Sequence, residues 1–178
     1  CGFLTEIYLP NIVDFNVSCF KDCASLRFVY LGEKLDNFSA KSIEGCERTV
    51  RFDISTECEK YAAVNGTVLS KSRDKLYFLD FADKLSAYLA ELRVVASYAV
   101  SHNPAVISLP TTLETVESYA FNCNNVKSIS VDSIDNIMPS AFYNCDVLED
   151  IAITNSTVMG IFEFINSQPT INRISLSN

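Results

Sequence analysis

Short stretches of the chain alternate apolar and polar residues, and the same stretch returns at a nearly constant interval. Apolar residues spaced two apart predict β-strands with one buried side. A cysteine, or a glutamine in the last copy, stands six residues before each apolar pair, and the copies are 22 or 23 residues apart within two runs of three that a gap separates. The pairs are Ile7 with Leu9, Val29 with Leu31, Phe52 with Ile54, Ile129 with Val131, Ile151 with Ile153, and Ile174 with Leu176.

A second shared segment lies between these strands. Apolar residues three apart are followed by a small residue and an aromatic one, as in Ala120-Phe121 and Ala141-Phe142, shortly before the next cysteine. This pattern predicts an extended leg and about one helical turn. A unit of about 22 residues cannot bury its own apolar side, but stacked units form a continuous core. The repeat therefore predicts a solenoid whose recurring aliphatic residues pack inside.

The repeat is interrupted between Ile54 and about residue 84. Two β-prone runs, Val64 to Ser70 and Lys75 to Leu79, flank the polar segment Lys71 to Asp74, which predicts a β-hairpin. We therefore predict a single solenoid over residues 1–178, with repeats at about 1–54 and 85–178 and a hairpin insertion at about 55–84. The insertion is either a binding protrusion or a structural element packed along the solenoid, and the second interpretation is favoured.

The repeat resembles the BspA-like branch of the leucine-rich repeats, whose units read approximately L-x-x-I-x-I-P-x-x-L-x-x-I-x-x-x-A-F-x-x-C. Val147 to Ile153 and Leu113 to Phe121 carry this resemblance well, and it extends over nearly the whole chain. It implies an α/β leucine-rich-repeat solenoid, a right-handed superhelix of 22–23-residue coils with a parallel sheet on one face, interrupted by the β-hairpin insertion. It also implies a surface used for adhesion or recognition, as in bacteria and protists.

Composition and charge narrow the function classes. Hydrophobic residues make up 48% of the chain and charged residues 20%, which is typical of a folded domain. The net charge of −8 disfavours nucleic acid or an anionic membrane as the main partner, because both would repel the chain. No apolar run approaches the roughly 18 residues that a membrane span needs. The chain starts at Cys1 without a signal peptide, so we expect a fragment.

The residues that could perform chemistry do not form a recognisable catalytic or metal-binding motif. The seven cysteines largely follow the repeat period, which favours a column of buried free thiols over disulfides, although Cys19 with Cys23 and Cys46 with Cys58 are candidate pairs. His102 is the only histidine and has no partner cluster, so we expect neither a metal site nor a cofactor. The sequence thus predicts that the chain is not an enzyme.

Residues that alternate with the core positions on the predicted strands should point outward, and a partner would bind there. The candidate partner-binding residues are Glu6, Tyr8, Phe28, Tyr30, Arg51 and Asp53. The later strands offer smaller and more polar residues, namely Ser128, Ser130, Asp150, Ala152, Arg173 and Ser175. Clustered aromatic residues are enriched at binding surfaces. Alternatively, Tyr8, Phe28 and Tyr30 pack against a flanking domain or further repeats.

The sequons for N-glycosylation are candidate modification sites in a protein exported by a eukaryote. They begin at Asn16, Asn37, Asn65 and Asn155. We interpret Asn16 and Asn37 as equivalent positions in two successive repeats.

These observations favour a cell-surface or secreted module that binds a host, matrix or surface protein through the sheet face of the solenoid. The alternative is an intracellular leucine-rich-repeat scaffold or regulatory protein, in which many reduced cysteines are common. Exposed terminal coils also make self-association through the solenoid ends a candidate interaction.

Overall fold

The fold is described from a computed structural model of the chain. It describes residues 1–16, 18–46, 50–80, 90–100, 106–110, 112–122, 127–132, 137–138, 140–143, 145–155, 166 and 170–176, with the backbone alone at 106–108. The chain forms two compact units, residues 1–84 and 85–178. His102 and Cys123 lie outside the described residues.

The first unit is organised by a parallel sheet made of one strand from each coil. Its strands are β1 (Glu6–Leu9), β3 (Phe28–Leu31) and β5 (Arg51–Ile54), in the order β1-β3-β5. The pairing aligns Ile7 with Val29 and Phe52, and Leu9 with Leu31 and Ile54. This register confirms the sequence alignment of the first three repeats and brings their apolar side chains onto one side of the sheet.

The second leg of each coil stacks in the same way. β2 (Asp14–Phe15) and β4 (Asn37–Phe38) are parallel, with Phe15 beside Phe38. The two rings lie 5.6 Å apart, and each contacts Phe52 edge-on at 5.8 and 5.2 Å. The predicted apolar positions of strand and leg therefore meet in one aromatic core.

The described residues contain little helix. The predicted helical turn is present in the second coil as η1 (Ala40–Ile43), a 3-10 helix in which the Ser39 hydroxyl accepts a hydrogen bond from the Lys41 N–H. Asn166 is helical, but its neighbours lie outside the described residues. The described part of the chain is thus a β-solenoid with parallel sheets, and the helical component of the predicted α/β class is not confirmed.

Three antiparallel strands follow the third coil in the first unit. β6 (Tyr61–Val64) pairs with β7 (Thr67–Ser70), and β7 pairs with β8 (Lys75–Phe78) across an irregularity at Val68 and Leu69. Asn65 and Gly66, both at positive φ, form the tight turn between β6 and β7.

Aromatic residues of these strands extend the core of the first unit. Tyr61 contacts Tyr77 at 5.0 Å, and Phe78 packs edge-on against Phe52 at 4.9 Å. The Tyr61 hydroxyl also accepts a hydrogen bond from the Phe38 N–H and donates one to the carbonyl of Asp36. Tyr61 follows Phe38 by 23 residues. It therefore occupies the place of the next rung above Phe15 and Phe38.

The second unit repeats this construction. Its larger sheet consists of β10 (Val106–Ser108), β12 (Ser128–Val131), β13 (Asp150–Ile153) and β14 (Arg173–Leu176), all parallel and in that order. The second legs include β9 (Val94–Val95) and β11 (Thr115–Val116). Phe121 and Phe142 are fully buried and stack at 4.7 Å with nearly parallel rings. The Ala-Phe motif of the sequence thus forms the core of this unit.

The last strand departs from the predicted burial. Leu176 aligns with Ile153 as expected, but it is 66% exposed, and Ile174 is only half-buried. The prediction that Leu176 lies in the core is wrong. β14 pairs with β13 on one side only within the described residues, so its apolar side chains lack a covering neighbour there.

Four of the six described cysteines are small buried groups. Cys23, Cys46, Cys58 and Cys145 are buried, whereas Cys1 and Cys19 are exposed, and all six are free thiols. The Cys46 thiol donates to the Phe20 carbonyl at 3.4 Å, and the Cys145 thiol to the Phe121 carbonyl at 2.9 Å. Burial raises the pKa of Cys46. Cys46 and Cys145 therefore connect successive coils by weak hydrogen bonds, and neither candidate disulfide is formed.

Gly32 provides a sharp test of how tightly the coils stack. A Cβ atom at this residue would lie 1.8 Å from the Pro10 carbonyl oxygen in the preceding coil. We expect Gly32→Ala to lower the free energy of unfolding by about 3 kcal/mol or more, because the backbone of one coil must move. Urea unfolding followed by circular dichroism measures this change. Gly2→Ala is the matched control, since a Cβ there meets no atom within 4 Å. Equal unfolding midpoints for the two variants would contradict close contact between these coils.

Candidate protein-interaction face

The six outward side chains of β1, β3 and β5 form a regular array. The parallel register places Glu6, Phe28 and Arg51 in one row, and Tyr8, Tyr30 and Asp53 in the next. All six are exposed or half-buried, as the sequence pattern predicts for outward positions. We call this array the aromatic face.

Three aromatic rings cluster on the aromatic face, with Phe28 and Tyr30 on its middle strand and Tyr8 on the outer strand β1. Tyr8 is 62% exposed, and its ring centroid lies 5.7 Å from that of Phe28 and 6.4 Å from that of Tyr30. The rings are tilted relative to one another, by 52° and 31°. Phe28 and Tyr30 are half-buried, so the strands hold these rings while part of each remains accessible. The predicted clustering of Tyr8, Phe28 and Tyr30 is therefore present.

Charged groups surround the rings. The Tyr8 hydroxyl donates a hydrogen bond to the Glu6 carboxylate at 3.1 Å. This hydrogen bond, and the negative charge of Glu6, raise the pKa of the Tyr8 hydroxyl above its ordinary value. Glu6 and Tyr8 thus hold each other in place at one end of the aromatic face.

Arg51, at the other end of its row, is held by a buried carboxylate. Its Nε lies 3.7 Å from Oδ2 of Asp80, and the side chain of Asp80 is 1% exposed. Gly66, in the turn between β6 and β7, leaves room for this carboxylate, since a Cβ there would lie 2.3 Å from Asp80 Oδ2. The segment that follows the third coil therefore helps to position Arg51.

The larger sheet of the second unit has a different outward surface. Ser128, Ser130 and Ala152 offer little apolar area, and Arg173 forms a bidentate pair with Asp150, both N–O distances being 2.8 Å. The charges of Arg173 and Asp150 are thus paired with each other within the sheet. The described part of that sheet lacks an outward aromatic cluster, as the sequence predicts.

A row of surface tyrosines in the second unit was not found by sequence reasoning. Tyr98 and Tyr119 stack at 5.6 Å, and Tyr143 meets Tyr119 edge-on at 5.3 Å. Tyr98 and Tyr119 have φ values of 63° and 61°, in the left-handed region that is uncommon for aromatic residues. In the sequence, each of these tyrosines stands next to an Ala-Val or Ala-Phe pair. The sequence pattern predicted a helical turn at these pairs and gave no indication of a tyrosine row.

The four sequon asparagines are all exposed. The register corrects one detail of their interpretation: Asn37 aligns with Asp14, so Asn16 and Asn37 are not equivalent. The side-chain amide of Asn37 donates a hydrogen bond to the Asp14 carboxylate. Asn65 lies in the turn before β7, and its backbone has a positive φ, like that of Gly66 beside it.

No group of three or more histidine, cysteine or acidic side chains in the described ranges is arranged to hold a metal ion. In the described part of the chain, no helix has the length and apolar character needed to cross a bilayer.

The family of the chain follows from the repeats. The model of the BspA-type leucine-rich repeat region matches in six copies over residues 1–64 and 92–178. The chain belongs to this family of BspA-type leucine-rich repeat proteins, and its fold is a leucine-rich-repeat β-solenoid of about six turns. This class of fold is a protein-interaction repeat module. The comparison with curated proteins gave no match.

Solved structures are similar to this chain at low sequence identity, and one of them shares its fold with a TM-score of 0.55. A leucine-rich cell surface protein from Faecalibacterium prausnitzii A2-165 is 15% identical, with a TM-score of 0.55; the match covers 98% of this chain and 60% of that one. The pneumococcal vaccine antigen PcpA is 14% identical, with a TM-score of 0.42, over 98% of this chain and 68% of that one. A leucine-rich repeat protein from Eubacterium ventriosum is 12% identical, with a TM-score of 0.43, over 74% and 37% of the two chains.

The hydrogen bond between Tyr8 and Glu6 predicts a measurable titration shift. Glu6→Gln removes the negative charge that opposes formation of the tyrosinate, so we expect the pKa of Tyr8 to fall toward the ordinary tyrosine value. An alkaline pH titration of the Tyr8 ring carbon signals by NMR measures this pKa. Glu57→Gln, which changes an exposed carboxylate on a different turn, is the control. An identical Tyr8 titration in wild type and Glu6→Gln would rule out the interaction.

Proposed function

We propose that the chain binds protein partners through the aromatic face and does so at the cell surface or as part of a secreted protein. The observation that carries this proposal is the cluster of Tyr8, Phe28 and Tyr30 on the two adjacent strands β1 and β3. Tyrosine and phenylalanine supply large contact areas with little loss of side-chain entropy, and such residues dominate binding energies at protein interfaces. The proposed contact residues are Glu6, Tyr8, Phe28, Tyr30, Arg51 and Asp53.

The family and fold support this choice of surface. Leucine-rich repeats form a rigid stack, so the outward side chains are held in position before a partner arrives, which lowers the entropic cost of binding. The larger sheet of the second unit is a weaker candidate, because its outward residues are small or already paired with each other. Binding energy would therefore concentrate in the first unit.

The proposed location is supported by the name of the Faecalibacterium prausnitzii protein, which is a cell surface protein with the same fold. The six free cysteines favour the second candidate, an intracellular scaffold or regulatory protein, because disulfides form in oxidising compartments. Glycosylation of Asn16, Asn37, Asn65 and Asn155 stays a prediction that is supported by their exposure. Self-association through the solenoid ends also stays a prediction.

A peptide-display experiment tests the binding face. A library of random 12-residue peptides is selected on the immobilised chain, and the recovered peptides are then titrated against the wild type and against the variant with Tyr8→Ser, Phe28→Ser and Tyr30→Ser. We expect the selected peptides to bind the wild type about 30-fold or more tightly than the variant, since aromatic hot spots each contribute about 2 kcal/mol. Because none of the three side chains is fully buried, thermal unfolding should shift by only a few degrees.

The matched control is the variant with Tyr119→Ser and Tyr143→Ser, which removes two exposed tyrosines outside the aromatic face. Selected peptides should bind this control as tightly as the wild type. Peptides that bind all three proteins equally would place recognition elsewhere. A large loss of stability in the triple variant would instead mean that these aromatic residues belong to the core.

Surface staining distinguishes the two locations. Antibody raised against the chain should label intact cells of the source organism about as strongly as permeabilised cells if the protein is displayed outside. Staining that requires permeabilisation would favour the intracellular scaffold. An abundant cytoplasmic protein, stained in parallel, controls for cell integrity.

A further inference from the structure

The charges at the corners of the aromatic face are unequal. Glu6 and Asp53 lie at diagonally opposite corners of the array, in different rows and on different outer strands. Among the described residues, neither carboxylate forms an ion pair with a lysine or arginine. Arg51 occupies a third corner, but its guanidinium is drawn toward the buried carboxylate of Asp80 at 3.7 Å. Two carboxylates are thus available to a ligand, while the one cation is already engaged.

The rings between these carboxylates can bind a cation. The negative face of an aromatic ring attracts a cation that lies within about 6 Å of the ring centroid. Tyr8 is the most exposed of the three rings, and its hydroxyl holds the Glu6 carboxylate at 3.1 Å. Tyr30 lies between Tyr8 and Asp53 in its row. A planar cation stacked on Tyr8 or Tyr30 can therefore meet a carboxylate at the edge of the same array.

We propose that the partner of the aromatic face presents an arginine side chain, whose guanidinium stacks on Tyr8 or Tyr30 and pairs with Glu6 or Asp53. Arginine fits better than lysine, because its planar group combines ring stacking with directed hydrogen bonds to carboxylates. The net charge of −8 adds long-range attraction for a basic partner. This inference rests on the proposed function, since it identifies the chemistry of the partner at the same face.

Small probes test the cation preference without knowledge of the natural partner. N-acetyl-arginine methylamide carries the guanidinium group. N-acetyl-citrulline methylamide carries in its place a neutral urea group of nearly the same shape. Each is titrated into the full chain while the ring signals of Tyr8, Phe28 and Tyr30 are followed by NMR. We expect the arginine probe to bind about tenfold more tightly than the citrulline probe and to shift the Tyr8 or Tyr30 signals. The corresponding lysine probe should bind less tightly than the arginine probe.

Variants at the two carboxylates separate specific pairing from general charge attraction. The double variant with Glu6→Gln and Asp53→Asn should lose most of the preference for arginine over citrulline while keeping the wild-type unfolding temperature. Asp150→Asn removes one negative charge from the sheet of the second unit, where the double variant removes two from the aromatic face, and it should leave the preference intact. Raising the salt concentration from about 0.1 M to about 1 M shortens the screening length from about 10 Å to about 3 Å and should weaken the arginine probe severalfold.

The outcomes separate this inference from the proposed function. Equal binding of the two probes, no binding of either, or signal changes confined to other residues would overturn the arginine preference. Peptides selected on the aromatic face that lack enriched arginine would also overturn it while leaving protein recognition by that face in place. If the arginine probe binds more tightly than the citrulline probe but the peptide selection recovers no binder, the cation site is supported. That result would contradict recognition of short protein segments by the aromatic face.

Discussion

The parallel register between successive coils is the constraint on which the structure depends. Each residue of a sheet strand pairs with the residue 22 or 23 positions further along the chain, in the strand of the next coil. Equivalent side chains of successive coils therefore lie next to one another. Phe15 therefore stacks on Phe38, and Phe121 on Phe142, in the two units separately. A slip of one residue would turn every buried side chain of a strand outward and every polar one inward. Burial and surface pattern thus follow from the same pairing.

The aromatic face is a direct consequence of that register. The pairing that buries Ile7, Val29 and Phe52 in one row also places Glu6, Phe28 and Arg51 side by side on the opposite surface. Since the strands are held by backbone hydrogen bonds and a packed core, the outward rings need little further ordering on binding. The buried core therefore contributes to the proposed function, because it fixes the spacing of the outward side chains of the aromatic face.

The strands after the third coil contribute to the core and to the proposed site. Tyr61 completes the aromatic stack of the second legs, and Phe78 packs on Phe52 beneath the sheet. Asp80, at the end of this segment, is buried and draws Arg51 toward it. These contacts favour a structural role for the segment over a separate binding protrusion. They also explain why two acidic corners of the aromatic face remain available while its basic corner is engaged.

The sequence alone determined the strands of the six aligned copies, their register within each run of three and their outward residues, because the alternation and the interval of 22 or 23 residues recur there. It did not predict β6 or β10, which lie outside those copies. It also indicated the burial of Cys23, Cys46 and Cys145, which share that interval, whereas Cys1 shares it and is exposed. It did not reveal the row formed by Tyr98, Tyr119 and Tyr143, because left-handed backbone at a tyrosine has no clear sequence signal. The exposure of Leu176 was missed for a different reason: burial depends on neighbours in space, and β14 has a paired strand on only one side in the described residues. The ion pair between Arg51 and Asp80 joins residues far apart in the chain, so only the tertiary structure could decide which charges of the aromatic face remain free to bind.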